Sequence, residues 1–182
     1  MKRFYFYFIL LCFLLTSCNK NEKKPEYEGE VILTSEVVKQ GDTYNTLGFS
    51  FEKGTNIPYP YTSEGVPDLV VTHFISTDLY LIVTFTSPNN QEAFHLYQIS
   101  TSADQAKSYF DNYLEVTTTS FGPLADSIKI NQVWTVQTVD KKYAKLLIKE
   151  IQLMKDSPVD DYVEVKVKYK YQPDGRKIFS ND

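Results

Sequence analysis

"YVEVKVKYKYQPDG", residues 162–175, is the stretch from which the fold can be read. Val163, Val165, Val167, Tyr169 and Tyr171 alternate with Glu164, Lys166, Lys168 and Lys170. A period of two belongs to a β-strand, whose successive side chains point to opposite faces of a sheet. The Val/Tyr set therefore faces a core, and the Glu/Lys set faces solvent, as antiparallel sheets allow. Exposed lysines on such a strand also discourage edge-to-edge pairing. Residues 172–175 turn the chain towards a short terminal strand around Ile178-Phe179.

The same pattern extends outward from there. Residues 133–139 and 143–153 read as strands, joined by Asp140-Lys141-Lys142 and followed by a turn over 156–161. Upstream, residues 31–38, 47–51, 69–75, 79–86 and 93–100 are β-rich. Gly41-Asp42, Lys53-Gly54, Ser76-Thr77-Asp78 and Pro88-Asn89-Asn90 punctuate them, and the spacing of 69–75 and 79–86 is that of a hairpin. Residues 56–65, with two prolines and two tyrosines, are expected to form an extended surface loop. The period changes once. Ser102-Ala103-Asp104-Gln105 is a capping box, and Ala106, Tyr109, Phe110 and Tyr113 follow at helical spacing, which predicts a helix over 103–115. Residues 117–131, broken by Gly122-Pro123, fit neither period. The expected fold is mainly β: one antiparallel, β-sandwich-like domain over 31–182 with one short helix.

The N-terminus speaks to location. Lys2 and Arg3 precede an apolar or aromatic run of 13 residues, Phe4 to Thr16. A permanent bilayer span needs about 20 apolar residues, so this run reads as a secretory leader over 1–17. Leu15-Thr16-Ser17-Cys18 is a lipobox, which makes Cys18 the expected lipidation site. Residues 18–30 are polar and read as a tether. Asn19 rather than Asp follows the cysteine, and by analogy with bacterial sorting signals the address is the outer membrane, on its periplasmic or its surface side.

Composition narrows the function classes. The whole chain carries a net charge of −4, and without Lys2 and Arg3 the balance is 17 basic against 23 acidic residues, or −6. That disfavours nucleic acid, whose phosphates need a basic surface. Cys12 would leave with the leader and Cys18 would carry acyl chains, so disulfides and cysteine–zinc sites are not expected. No GxSxG elbow, HExxH helix or phosphate-cradling glycine loop is present, and the reading is not an enzyme. Asp160-Asp161 reads either as a calcium-ligand pair or, as such pairs in turns usually are, as a solvated turn.

Two features could carry binding. Tyr59 and Tyr61, held by Pro58 and Pro60, form either a stacking platform for sugars and flat ligands or a plug in the sandwich end. His73 shares a strand face with Leu69, Val71 and Ile75, and His95 lies between Phe94 and Leu96. Imidazoles on apolar strands either ligate a metal or haem iron or hydrogen-bond to the backbone as core histidines.

"NQVWTVQTVDKKYAKLLIKEI", residues 131–151, followed by "VEVKVKYKYQPDG", resembles the C-terminal half of the HmuY-type lipoproteins of Bacteroidetes. "GFSFEKG", residues 48–54, followed by "DLVV", 68–71, is similar to that family's early strands. The resemblance implies an all-β fold with one helix, an outer-membrane lipid anchor, and haem held between two axial side chains. Such family members use histidine or methionine pairs. Met154 is the only methionine after the leader, so a paired site here would need His73 with His95. The expected function is an outer-membrane, lipid-anchored binding protein for haem or a porphyrin, working with an outer-membrane receptor partner. The alternative is an accessory surface lipoprotein that contacts glycan or protein partners without a cofactor.

Overall fold

The computed structural model describes residues 27–60, 65–155 and 161–179. The expected leader, Cys18, most of the expected tether, Tyr61 and Asp160 lie outside the described residues. Two antiparallel sheets face each other. The first has the order β1 (Glu28–Thr34), β11 (Tyr162–Gln172), β10 (Tyr143–Met154), β9 (Gln132–Gln137) and β7 (Phe94–Ile99). The second runs β2 (Val38–Gln40), β3 (Thr43–Ser50), β5 (Leu69–Ile75), β6 (Leu81–Thr86) and β8 (Leu124–Ala125), with β4 (Thr55–Tyr59) also paired to β3.

The period-two stretch is where it was expected to be. On β11, Val163, Val165, Val167, Tyr169 and Tyr171 are buried, while Glu164, Lys166, Lys168 and Lys170 point outward and are partly exposed. The inward set meets Leu33, Ala144, Leu146, Ile148, Trp134 and Val136 of its own sheet, and Phe49, Leu69, Val71, Val83 and Phe85 of the other. At about 25 cal/mol per Å² of apolar surface, this one core is the main source of stability. An aromatic group closes one end of it: the Phe51 and Tyr171 rings stack at 5.6 Å, and Phe49 meets Tyr169 edge-on at 4.9 Å.

Several boundaries differ from the sequence reading. β1 begins at Glu28, inside the expected tether, because Glu28, Gly29 and Glu30 pair with Lys170, Tyr169 and Lys168. β11 is therefore an interior strand, and its lysines do not guard an edge. Residues 55–59 are a strand rather than a loop; among the described residues β4 has no sheet neighbour but β3, so Pro58 needs no second partner. The terminal strand around Ile178 reduces to a single bridge with Glu115. Within 117–131, the two-residue β8 joins β6.

The helix α1 (Ala103–Asn112) begins at the expected cap: the Ser102 hydroxyl accepts the Gln105 amide at 3.2 Å. It ends at Asn112, three residues earlier than the periodicity predicted, with Tyr113 as its cap. Its last turn holds no basic residue, and Lys145 of β10 takes that role from below. The Lys145 ammonium donates to the carbonyls of Phe110 at 2.7 Å and Tyr113 at 2.9 Å. Ala106, Phe110 and Tyr113 pack with Val133, Tyr143, Leu147 and Phe179 into a second core on the outer face of the first sheet. That face is thus half covered by the helix and half open.

Candidate functional site

Strand directions give the sandwich two distinct ends. β1 starts and β11 finishes at one of them, since Glu28 pairs with Lys170 and Thr34 with Glu164. The Tyr27 carbonyl accepts the Tyr171 amide at this near end. β3 is antiparallel to β5, so the start of β3 and the finish of β5 share the far end. There the β2–β3 and β5–β6 hairpins project. Taking 3.4 Å per residue, the twelve residues of β10 span roughly 40 Å between the two ends.

The far end is apolar and open. Val37, Val38, Tyr44, Phe74, Leu79 and Tyr80 are all exposed, Leu79 at 84% and Tyr80 at 71%. Tyr44 and Phe74 share the outer face of the second sheet by alternation from the Gly48–Val70 pair. The β5–β6 turn shows how the sequence makes this tip. The Leu79 amide donates to the Ser76 carbonyl at 2.9 Å, and the Ser76 amide donates to the Tyr80 carbonyl at 2.9 Å. This closes a three-residue loop whose last position is left-handed and favours glycine. Leu79 occupies it at φ 63°, at a cost of roughly 1 kcal/mol or more. The turn thus holds a bulky apolar side chain out in solvent where a glycine would be more stable. The sequence reading had started the strand at Leu79. The telling signal was an apolar Leu-Tyr pair directly after Thr77-Asp78, where turn chemistry calls for glycine or asparagine.

The two histidines are not brought together. His73 lies on β5 of the second sheet, on the inward side with Leu69 and Val71. His95 lies on β7 of the first sheet, opposite Thr135, on the outward side next to the helix core. Sheet membership separates the strands, and alternation turns the rings to opposite sides of the first sheet. One iron between His73 and His95 is therefore not formed in this fold. The expectation that their strands run as near-neighbours fails with it, because β7 pairs with β9 and β5 with β6 and β3.

Each ring has its own surroundings. The Nδ1 of His73 is 2.8 Å from the Ser35 hydroxyl, which also accepts the Val163 amide at 2.9 Å. His73 is half-buried, two residues from the far-end Ile75, and Nε2 has no partner among the described residues. A histidine that ligates a metal usually has its other nitrogen held in this way. His95 makes a long 3.4 Å contact from Nδ1 to Thr118 and meets Phe121 edge-on. Tyr59 ends β4 opposite Thr46, half-buried, before the cis Tyr59–Pro60 bond. Among the described residues, no group of three or more His, Cys, Asp or Glu side chains converges on a point.

Electrostatics add two buried ionisable groups that the sequence did not flag. Burial pushes Asp68 up to about 6, although its carboxylate accepts the Phe51 amide at 2.9 Å. Burial likewise lowers Lys145 to about 8, helped by repulsion from Lys170 and Lys168. The outward lysines of β11 each have carboxylate partners: Glu30 and Glu150 for Lys166, Asp111 for Lys168, Glu28 for Lys170. No protein-family model matches the chain, and no curated protein matches it significantly.

Proposed function

We propose that the chain is a lipid-anchored binding protein of the outer membrane that engages its ligand at the far end of the sandwich. The observation supporting this reading is the polarity of the molecule. The lipobox cysteine lies nine residues before Tyr27 at the near end, and an extended chain of that length reaches at most about 30 Å. The exposed apolar hairpins stand at the opposite end, roughly 40 Å away by the length of β10. Exposed apolar patches rimmed by polar residues mark interaction sites on soluble domains. Here the patch faces away from the anchor.

Haem or a porphyrin is the first ligand to test, because Ile75 and its cross-strand partner Leu81 share the inward face with His73 and put apolar surface beside that ring at the open far end. His73 would be its axial ligand, through Nε2 and without His95. Titrating the protein with hemin should give a red-shifted, sharpened Soret band of a one-histidine complex. His73→Ala should abolish it, and His95→Ala should leave it unchanged. A spectrum unaltered by hemin would remove haem and leave the accessory reading, in which the same apolar end docks a protein partner. A band lost with His95→Ala would contradict the placement of the ligand at the far end.

A further inference from the structure

The open half of the outer face holds a cleft of about 460 Å³ beside the start of β1, between the finish of α1 and strands β10 and β11. Five charged groups converge on it: Lys145, Lys168 and Lys170 against Glu28 and Asp111. Lys168 reaches Asp111 at 3.0 Å and shares that carboxylate with the exposed Lys107, which lies outside the cleft lining, and Lys170 pairs with Glu28 at 3.2 Å. Among the described residues Lys145 has no carboxylate of its own. Two of its three protons go to the Phe110 and Tyr113 carbonyls, and its residue is 1% exposed. Lys145 and Lys168 lie 4.7 Å and 4.8 Å from the centroid of the same Phe110 ring, so both ammonium groups flank one wall. The cleft thus carries one cation in excess, and that cation is desolvated, where an anion is worth most.

We propose that this cleft is an oxyanion subsite that takes one phosphodiester, that of a lipid headgroup at the surface beside which β1 begins. A monoanion matches the single surplus charge, whereas a dianion would overshoot it. Lys145 supplies its third proton from below, and Lys168 turns from Asp111 to the phosphate from the side. Glu28, the first residue of β1, forms the rim, so the cleft opens at the end of the sandwich where β1 begins. The lipid source rests on the anchor reading; the charge balance of the cleft does not.

The test is calorimetric titration of the full chain in non-ionic detergent. The probes are glycerophosphoglycerol, a soluble phosphodiester headgroup, and inorganic phosphate. Saturable one-site binding of the diester is expected, about tenfold weaker in Lys168→Gln, which removes one charge-assisted contact. Lys166→Gln, outside the cleft, should bind as the parent does. Affinity should also fall between pH 7 and pH 9 as Lys145, faced by Lys170, Lys168, Asp111 and Glu28, loses its charge. Lys168→Gln should melt within a few degrees of the parent, so that lost binding is not lost fold. Inorganic phosphate binding more tightly than the diester would overturn the lipid source. No saturable heat with either probe, or unchanged affinity in Lys168→Gln, would overturn the subsite. Fatty-acid labelling of Cys18 decides the anchor separately: an unlabelled chain that still binds the diester loses the anchor and keeps the cleft.

Discussion

Asp68 sits at the start of β5, where the chain enters the second sheet, and its carboxylate holds the Phe51 amide across the turn that ends β3. That hydrogen bond favours the charged form. Burial outweighs it, and Glu52 and Asp140 add repulsion, so the group titrates near 6 instead of near 3.8. The raised value means that the folded state binds the proton more readily than the unfolded chain does. The contribution to stability is complete below about pH 4 and is lost as the pH rises through 6. Asp68→Asn keeps an oxygen for the Phe51 amide and removes the charge. It should stabilise the protein at pH 7 by up to about 3 kcal/mol, and by little at pH 4. Urea denaturation at the two pH values checks this; an equal gain at both would mean that burial of the charge is not its cause. Nothing in Pro67-Asp68 signals this burial, since the same pair in a surface turn would read identically.

The elements are controlled by alternation, and β11 shows it most clearly. Val167 is 1% exposed and meets Ile148 across the ladder, while Lys166 looks outward to Glu30 and Glu150. Val167→Asp should cost roughly 3 kcal/mol or more, because it leaves an unpaired charge in the core. Lys166→Ala should cost under about 1 kcal/mol, the range of exposed ion pairs. Thermal melts of the two variants decide the matter, and similar melting temperatures would invert the strand's parity. This strand and the helix start were legible because each carries an uninterrupted period of 2 or 3.6, and β9 and β10 because short polar turns bound their β-rich runs. The histidine pair was not. Parity along one strand is local, but whether β5 and β7 share a sheet depends on pairings that join residues far apart in sequence. Lys145 was hidden by a related effect: β10 is buried on both faces over Tyr143–Ile148, because the helix covers one of them, so its polar positions look like those of any wet strand. Strand β4 was missed because Pro58 within it and Pro60 just after it argue for a loop unless the strand lies on an edge.

At the scale of the whole molecule, the two ends have different chemistry. The near end gathers charge around the start of β1: Lys142 reaches Glu52 at 2.6 Å, Lys170 reaches Glu28, and the lysine cleft lies alongside. The far end exposes Leu79, Tyr80, Phe74 and Tyr44. A domain needing only to be soluble would gain by exchanging these surfaces for polar ones, and by a glycine at position 79.

The direction of β1 has a mechanical consequence. It begins at the near end and runs antiparallel to β11 through seven paired positions, Glu28–Lys170 to Thr34–Glu164. Force applied between Tyr27 and the Leu79 tip pulls β1 along its own axis, so its rungs shear together and must rupture as a set. Force applied between Tyr27 and Phe179 acts at a single end, since β11 finishes where β1 starts, and opens the same ladder as a zipper, one rung after another. Single-molecule pulling through these two pairs of handles should give a clearly higher rupture force for the first, and equal forces would mean that β1 is not the strand that yields. A load applied between Tyr27 and the far end thus acts along the direction in which the first strand resists best.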